Sequence, residues 1–273
     1  MDALTVNLYL CAAACIVTWT LSAITKESSW VDRIWSVIPV VYLWVFASGS
    51  NFSNARLVVM ACLVTLWGAR LTFNFARKGG YRPGGEDYRW QVLRARMSPG
   101  RFQLFNVFFI VIYQNVLLLL ITLPALTVLQ NIAVPFGLVD VLLALLFLGL
   151  LLMETTADQQ QWNFHEFKRT EVAAGREPTP RFLDAGLFRY SRHPNFFAEQ
   201  AQWWVLYLFA VTAAGGWLNF TVVGAVLLSV LFVGSLRFTE EISLSKYPEY
   251  ASYQSSTSPL IPWPPVSTSR GLR

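Results

Sequence analysis

The sequence predicts an all-α, polytopic integral membrane protein with seven transmembrane helices, and three observations predict it. Of its 273 residues 55% are hydrophobic and 14% charged, against about 45–50% apolar and about 25% charged in an ordinary soluble domain. The apolar residues fall into runs approaching the roughly 20 that a helix needs to cross a bilayer. The basic residues gather on one alternating set of connections. A soluble enzyme would keep more charge on its surface, and a disordered chain would carry far less Leu, Val and Phe.

The seven runs cover residues 4–23, 34–49, 57–75, 104–126, 139–153, 195–214 and 217–236. They must be helical, because an open strand in lipid leaves backbone groups unpaired. The first starts Met-Asp without a basic leader, which argues against a cleaved signal peptide. The second and fifth are short. The third carries Trp67, Arg70 and Asn74 at i, i+3 and i+7, on one helix face. The fourth is interrupted by Tyr113, Gln114 and Asn115, and the fifth runs out into Glu154-Thr-Thr-Ala-Asp158. The sixth opens at Pro194, a residue suited to the first turn of a helix.

Of the 21 Lys and Arg residues, 19 fall on the connections after the first, third, fifth and seventh runs; Arg56 lies on the other side and Arg70 within a span. The positive-inside rule then places the amino terminus outside or lumenal and the carboxyl tail in the cytosol. The net charge of +5 is thereby an orientation signal, and nucleic acid is not an expected partner. Cys11, Cys15 and Cys62 lie in apolar runs, and two histidines are too few for a Cys/His zinc site, so no metal is expected. The whole chain, 1–273, reads as one membrane domain. Its long polar connections, 76–103 and 154–194, and its tail, 237–273, are expected to carry function.

The first connection pairs Gly79–Gly80 and Gly84–Gly85 around Arg82 but lacks the spacing of a dinucleotide fingerprint. Arg82, Arg89 and Arg94 are its candidates for meeting phosphates. In the second, Glu154 and Asp158 share a helix face, where carboxylates can accept hydrogen bonds from a ribose or carboxamide. The densest segment is Arg189-Tyr190-Ser191-Arg192-His193-Pro194-Asn195, followed by Glu199 one turn beyond Asn195. Arginines beside a helix start make an anion site. Polar groups such as Asn195 and Glu199 at membrane depth are costly unless paired or facing a wet cavity. In the tail, Glu240 and Glu241 are spaced to pair locally with Arg237, and Tyr247, Tyr250 and Tyr253 form an aromatic cluster.

These motifs, DRIW (32–35), TLWGARL (65–71), GGEDYRWQVLR (84–94), ETTAD (154–158), GLFRYSRHPNFFAEQ (186–200) and the EE…YPEYASY…IPWPP tail, resemble the membrane-embedded steroid 5α-reductase-like family, in its DUF1295 branch. The resemblance implies seven transmembrane helices and an NADPH-dependent reduction of a conjugated carbon–carbon double bond in a steroid or other lipid enone. It implies a cofactor held by Asp158, Arg181, Tyr190, Asn195 and Glu199, with Arg189, Arg192 and His193 near its phosphates; Glu154, on the same face as Asp158, and Glu240 and Tyr250, in a tail expected to fold over the nucleotide, complete the candidate cofactor site. The steroid enzymes of the family set an acidic residue and a tyrosine against the substrate ketone; here Trp67 stands at the tyrosine's place and the second span has no glutamate. Candidates for the catalytic role are therefore Asp32, Tyr113, Trp67 and Arg70, since hydride addition builds enolate charge that a buried donor stabilises.

One rival reading is a membrane methyltransferase of the isoprenylcysteine or phospholipid type using S-adenosylmethionine, which shares the Arg-His-Pro and Glu-Glu pattern over the last two spans. Another is a non-enzymatic seven-helix protein. The Asn195–Glu199 pair and the upstream motifs favour the reductase. The expected location is an endomembrane such as the endoplasmic reticulum in a eukaryote, or a bacterial inner membrane.

Overall fold

The computed structural model describes residues 1–266; Arg270, Arg273 and the final Ser-Arg-Gly-Leu-Arg lie outside the described residues. Those described are helical, with no strand among them. The helices are α1 (Ala3–Thr25), α2 (Trp30–Ile34), α3 (Ile38–Ser48), α4 (Ala55–Arg77), α5 (Tyr88–Arg96), α6 (Pro99–Phe105), α7 (Gln114–Leu120) and α8 (Pro124–Gln130). They continue with α9 (Leu138–Ala173), α10 (Pro194–Ala214), α11 (Val222–Lys246) and α12 (Tyr250–Ser256). Five helical stretches are long and apolar enough to cross a membrane, namely α1, α4, the α6-to-α8 stretch Pro99–Gln130, α9 and α11. α3 is apolar but short, and α10, at 21 residues, is not among the five. The leucines of early α9 stay open to the surroundings, Leu138 at 73% and Leu145 at 59%, as a lipid-facing stripe should.

Helix ends follow local chemistry. Asp2 and Asn54 cap α1 and α4 by accepting the amide hydrogens of Thr5 and Leu57, each satisfying an otherwise orphaned N–H. The second apolar run is divided into α2 and α3, with Pro39 in the first turn of α3. The fourth run contains a π-helical segment, Asn106–Tyr113, before α7. The polar connection after the fifth run is not a loop at its start: α9 runs 36 residues to Ala173, because Gln, Glu, Lys and Arg are good helix formers and hydropathy marks the edge of lipid rather than the end of a helix.

The chain falls into two compact units, one of residues 1–147 and 203–228, the other of 148–202 and 229–273. In the first, α3 and α4 pack so closely that a Cβ on Gly68 would lie 2.4 Å from the Ser36 carbonyl oxygen. Arg56, which the charge count leaves isolated, is 2% exposed and bonds Asp140, equally buried, through Nε at 2.6 Å and Nη2 at 2.7 Å. Its Nη2 also donates to Pro135 O, while Asp140 accepts from Gly137 N and the Thr212 hydroxyl. A buried ion pair needs such additional partners to offset desolvation.

Candidate functional site

The second unit holds a row of buried polar groups on α9 and α10. Glu154 and Asp158, 2% and 4% exposed, lie one turn apart on α9. Asp158 Oδ1 accepts from Asn195 Nδ2 at 3.4 Å, and Glu154 Oε2 accepts from Gln202 Nε2 at 2.7 Å. Glu199 is half-buried on the same helix as Asn195 and Gln202. Positions 195, 199 and 202 follow the i, i+4, i+7 rule, so the spacing already carried the signal for Gln202, which the sequence reading missed. Gln160, also missed, accepts the Leu187 amide at 3.0 Å. Its side-chain amide fills the space a Cβ on Gly186 would occupy, and Gly186 has φ +64°, so that turn requires glycine.

Beside this row lies a charged knot. Arg192 donates from Nε to Glu240 Oε1 at 2.6 Å, from Nη2 to Glu240 Oε2 at 3.0 Å, and from Nη1 to the Gln254 and Thr257 carbonyls. Glu240 accepts two further bonds, from the Gln254 amide at 2.9 Å and from His193 Nε2, 3.1 Å away. Glu240 is therefore committed to Arg192, 48 residues away, and not to Arg237. Most of the Arg192 guanidinium is spent on holding the tail. The tail also bonds the segment directly: Arg192 N to Ser258 O, the Ser191 hydroxyl to Leu260 O, and Trp263 N to Tyr190 O. Tyr250 and Tyr253 pack on Phe182, and the Tyr253 hydroxyl bonds Phe188 O. Burial, reinforced by the Glu240 charge, pushes the Tyr250 hydroxyl well above the usual phenol range, so it stays a neutral donor.

Two arginines of the set stand differently. Arg189 is exposed, as is Tyr190. Arg181 is partly exposed and pairs with Glu177 and, at 3.5 Å, with Glu249.

The remaining candidates lie in the first unit. Trp90 Nε1 donates to Asp32 Oδ2 at 2.8 Å, which ties the DRIW and EDYRW motifs together. Burial pushes the Asp32 carboxyl up, with the Trp90 bond opposing it. Two arginines of the first connection have partners within it: Arg89 grips Asp87 at 2.7 Å, and Arg94 grips Glu86 at 2.9 Å. Although burial raises the Asp87 carboxyl, the Arg89 guanidinium and amide outweigh it and leave it below the usual range. The Tyr113 hydroxyl donates to Leu227 O at 3.2 Å. Trp67, fully buried, meets Trp203 edge-to-face with centroids 4.9 Å apart, and neither indole N–H has a hydrogen-bond partner among the described residues. Arg70 is half-buried one turn along α4.

With this geometry in hand, comparison with known proteins gives two matches. The family model described as Protein of unknown function (DUF1295) matches residues 18–257. The chain belongs to the DUF1295 family. An uncharacterized protein of Schizosaccharomyces pombe (strain 972) is similar to this DUF1295 chain at 39% identity over 261 residues, covering 90% of this chain and 76% of that protein. No solved structure matches. The family model spans the motifs from DRIW to the tail tyrosines and so agrees with the motif resemblance, while Ser258, Leu260, Trp263 and the IPWPP motif lie beyond the matched residues.

Proposed function

We propose that this DUF1295 protein is a seven-span membrane reductase that uses NADPH to saturate a conjugated carbon–carbon double bond in a steroid or other lipid enone. The observation that carries the reading is the row Glu154, Asp158, Asn195 and Gln202, with Glu199 beside it. Two carboxylates almost wholly buried in a helix that continues an apolar stretch are costly to keep even when hydrogen-bonded, and ionisable groups at such depth commonly mark functional positions. Carboxylate and amide groups in a line suit the carboxamide and ribose hydroxyls of a nicotinamide nucleotide. Exposed Arg189, with Arg181, suits its phosphates, while Arg192, His193, Glu240 and Tyr250 shape the wall. NADPH, when bound, supplies the hydride to the β-carbon of the enone. The protein's task is to hold the ketone oxygen as charge builds there. Among Asp32, Tyr113, Trp67 and Arg70, the Trp67 indole offers a buried donor with no partner, and leaving such a donor unmet is unfavourable.

The amino terminus lies outside in this reading, supported by the basic connections; labelling a cysteine placed at residue 2 from the outer side checks it. The functional test is thermal denaturation of purified protein in detergent. Ligand at 100 times its Kd stabilises by about 2.7 kcal/mol, so NADPH raises the melting temperature and Asn195→Ala or Glu199→Ala abolishes the rise. Stabilisation by S-adenosylmethionine but not NADPH would overturn the reductase in favour of a methyltransferase.

A further inference from the structure

A cavity of about 300 Å³ lies in the first unit, where the end of α1 meets α5 and α6, and of the candidate residues discussed above only Arg94 lines it. Ser22, Lys26, Arg94, Phe102, Gln103 and Asn106 are on its wall. Two of these groups are cationic. Lys26 is exposed, and Arg94 is fixed in place by Glu86, by the Ser28 hydroxyl and by Lys26 O, with its guanidinium carbon 4.9 Å from the centre of the Phe102 ring. With Glu86 counted, the wall keeps a net positive charge.

Asn106 is the second and independent observation. It is 4% exposed, its Nδ2 donates to the Ser22 hydroxyl at 3.0 Å, and its Oδ1 has no partner among the described residues. A buried acceptor left unmet is unfavourable, and Asn106 opens the π-helical segment, a distortion frequently found at functional sites. The cavity thus presents cations for an anion, an orphaned acceptor for a hydroxyl or N–H donor, and an apolar wall. A single water would meet Asn106 but leave the net positive charge of the wall unmet. The flanking segments carry exposed Ile24, Leu104 and Phe108, side chains suited to acyl chains.

We propose that this cavity binds the headgroup of an anionic glycerophospholipid, its phosphodiester at Lys26 and Arg94 and a terminal hydroxyl donating to Asn106 Oδ1. The chemistry is that of a phosphate ester bearing a donor, so the test separates lipid from soluble sources. Purified protein in an uncharged detergent is titrated, with intrinsic fluorescence melting as readout, against dihexanoyl-phosphatidylglycerol, dihexanoyl-phosphatidylcholine, which has no terminal donor, and glycerol 3-phosphate. The glycerol lipid is expected to bind about tenfold tighter than the choline lipid, the effect of one good hydrogen bond. Asn106→Ala removes that preference. Lys26→Gln, at an exposed position that the fold tolerates, weakens binding about fivefold. Equal affinity for the two lipids, or an affinity unmoved by Lys26→Gln, overturns the proposal. Glycerol 3-phosphate binding as tightly as the lipid overturns the lipid assignment and leaves a soluble phosphate ester in the cavity.

Discussion

Glu240→Gln tests whether the Arg192 guanidinium serves the tail. In the native chain the two Glu240 oxygens take four contacts, two from Arg192, one from the Gln254 amide and one from His193. Glutamine keeps one acceptor oxygen and turns an NH₂ toward a donor, so about half of these contacts are lost. The Arg192 charge is then left without its counter-ion, in a side chain only 8% exposed. Removing one member of a buried ion pair costs about 3–5 kcal/mol, or roughly two to three and a half orders of magnitude in an equilibrium constant. The cost falls first on the segment the knot retains. Amide hydrogen exchange reads it locally, because the Trp263 amide bonds Tyr190 O and the Arg192 amide bonds Ser258 O. Both amides are expected to exchange about 10²–10³ times faster in the variant, while those of α4 stay unchanged. Unchanged protection at Trp263 and Arg192, together with a lost response to NADPH, would refute the reasoning and return Arg192 to the phosphates.

Two further outcomes follow from the first unit. Asp140→Asn leaves Arg56 buried without its counter-ion and is expected to cost about 3 kcal/mol or more, seen as a lower melting temperature in detergent, whereas Asp140→Asn melting like the parent would mean that the pair is solvated. Asp32→Asn keeps an acceptor for Trp90 and removes a carboxyl that burial pushes above its usual value. For such a group the stabilising contribution of the neutral form is complete below the unfolded pKa of about 3.9 and is lost as pH rises through the folded value. The asparagine variant is therefore expected to match the parent in stability near pH 4 and to equal or exceed it near pH 8; a variant that loses ground as pH rises contradicts the burial argument.

Much of the architecture was legible because it is local. Apolar runs located the long helices, and Asp2 and Asn54 were in place to cap them. What escaped depends on partners distant in sequence or on departures from helical regularity. Arg56 reads as a lone charge until Asp140, 84 positions later, is seen against it, and Glu240 reads as a partner for Arg237 until Arg192 competes with better geometry. In the run 104–126 the polar breaks at Asn106 and at Tyr113–Asn115 bound the π segment, but polarity alone does not distinguish a π turn from an α turn. The sequence placed DRIW and EDYRW in separate connections, and only the Trp90–Asp32 bond makes them one feature. The Glu154–Asp158 and Asn195–Glu199 pairs were legible because helical spacing alone brings each onto one face; the same spacing extends to Gln202, but its pairing with Glu154 is a bond between two helices.

The bonds from residues 258–263 to residues 190–192 have a consequence for biosynthesis. The Arg-Tyr-Ser-Arg-His segment is synthesised before the tail, yet the Tyr190 carbonyl, the Arg192 amide and the Arg192 guanidinium find their partners in the tail. These bonds can form only once the tail has been made, and a chain that stops at residue 257 would lack the strap that they provide.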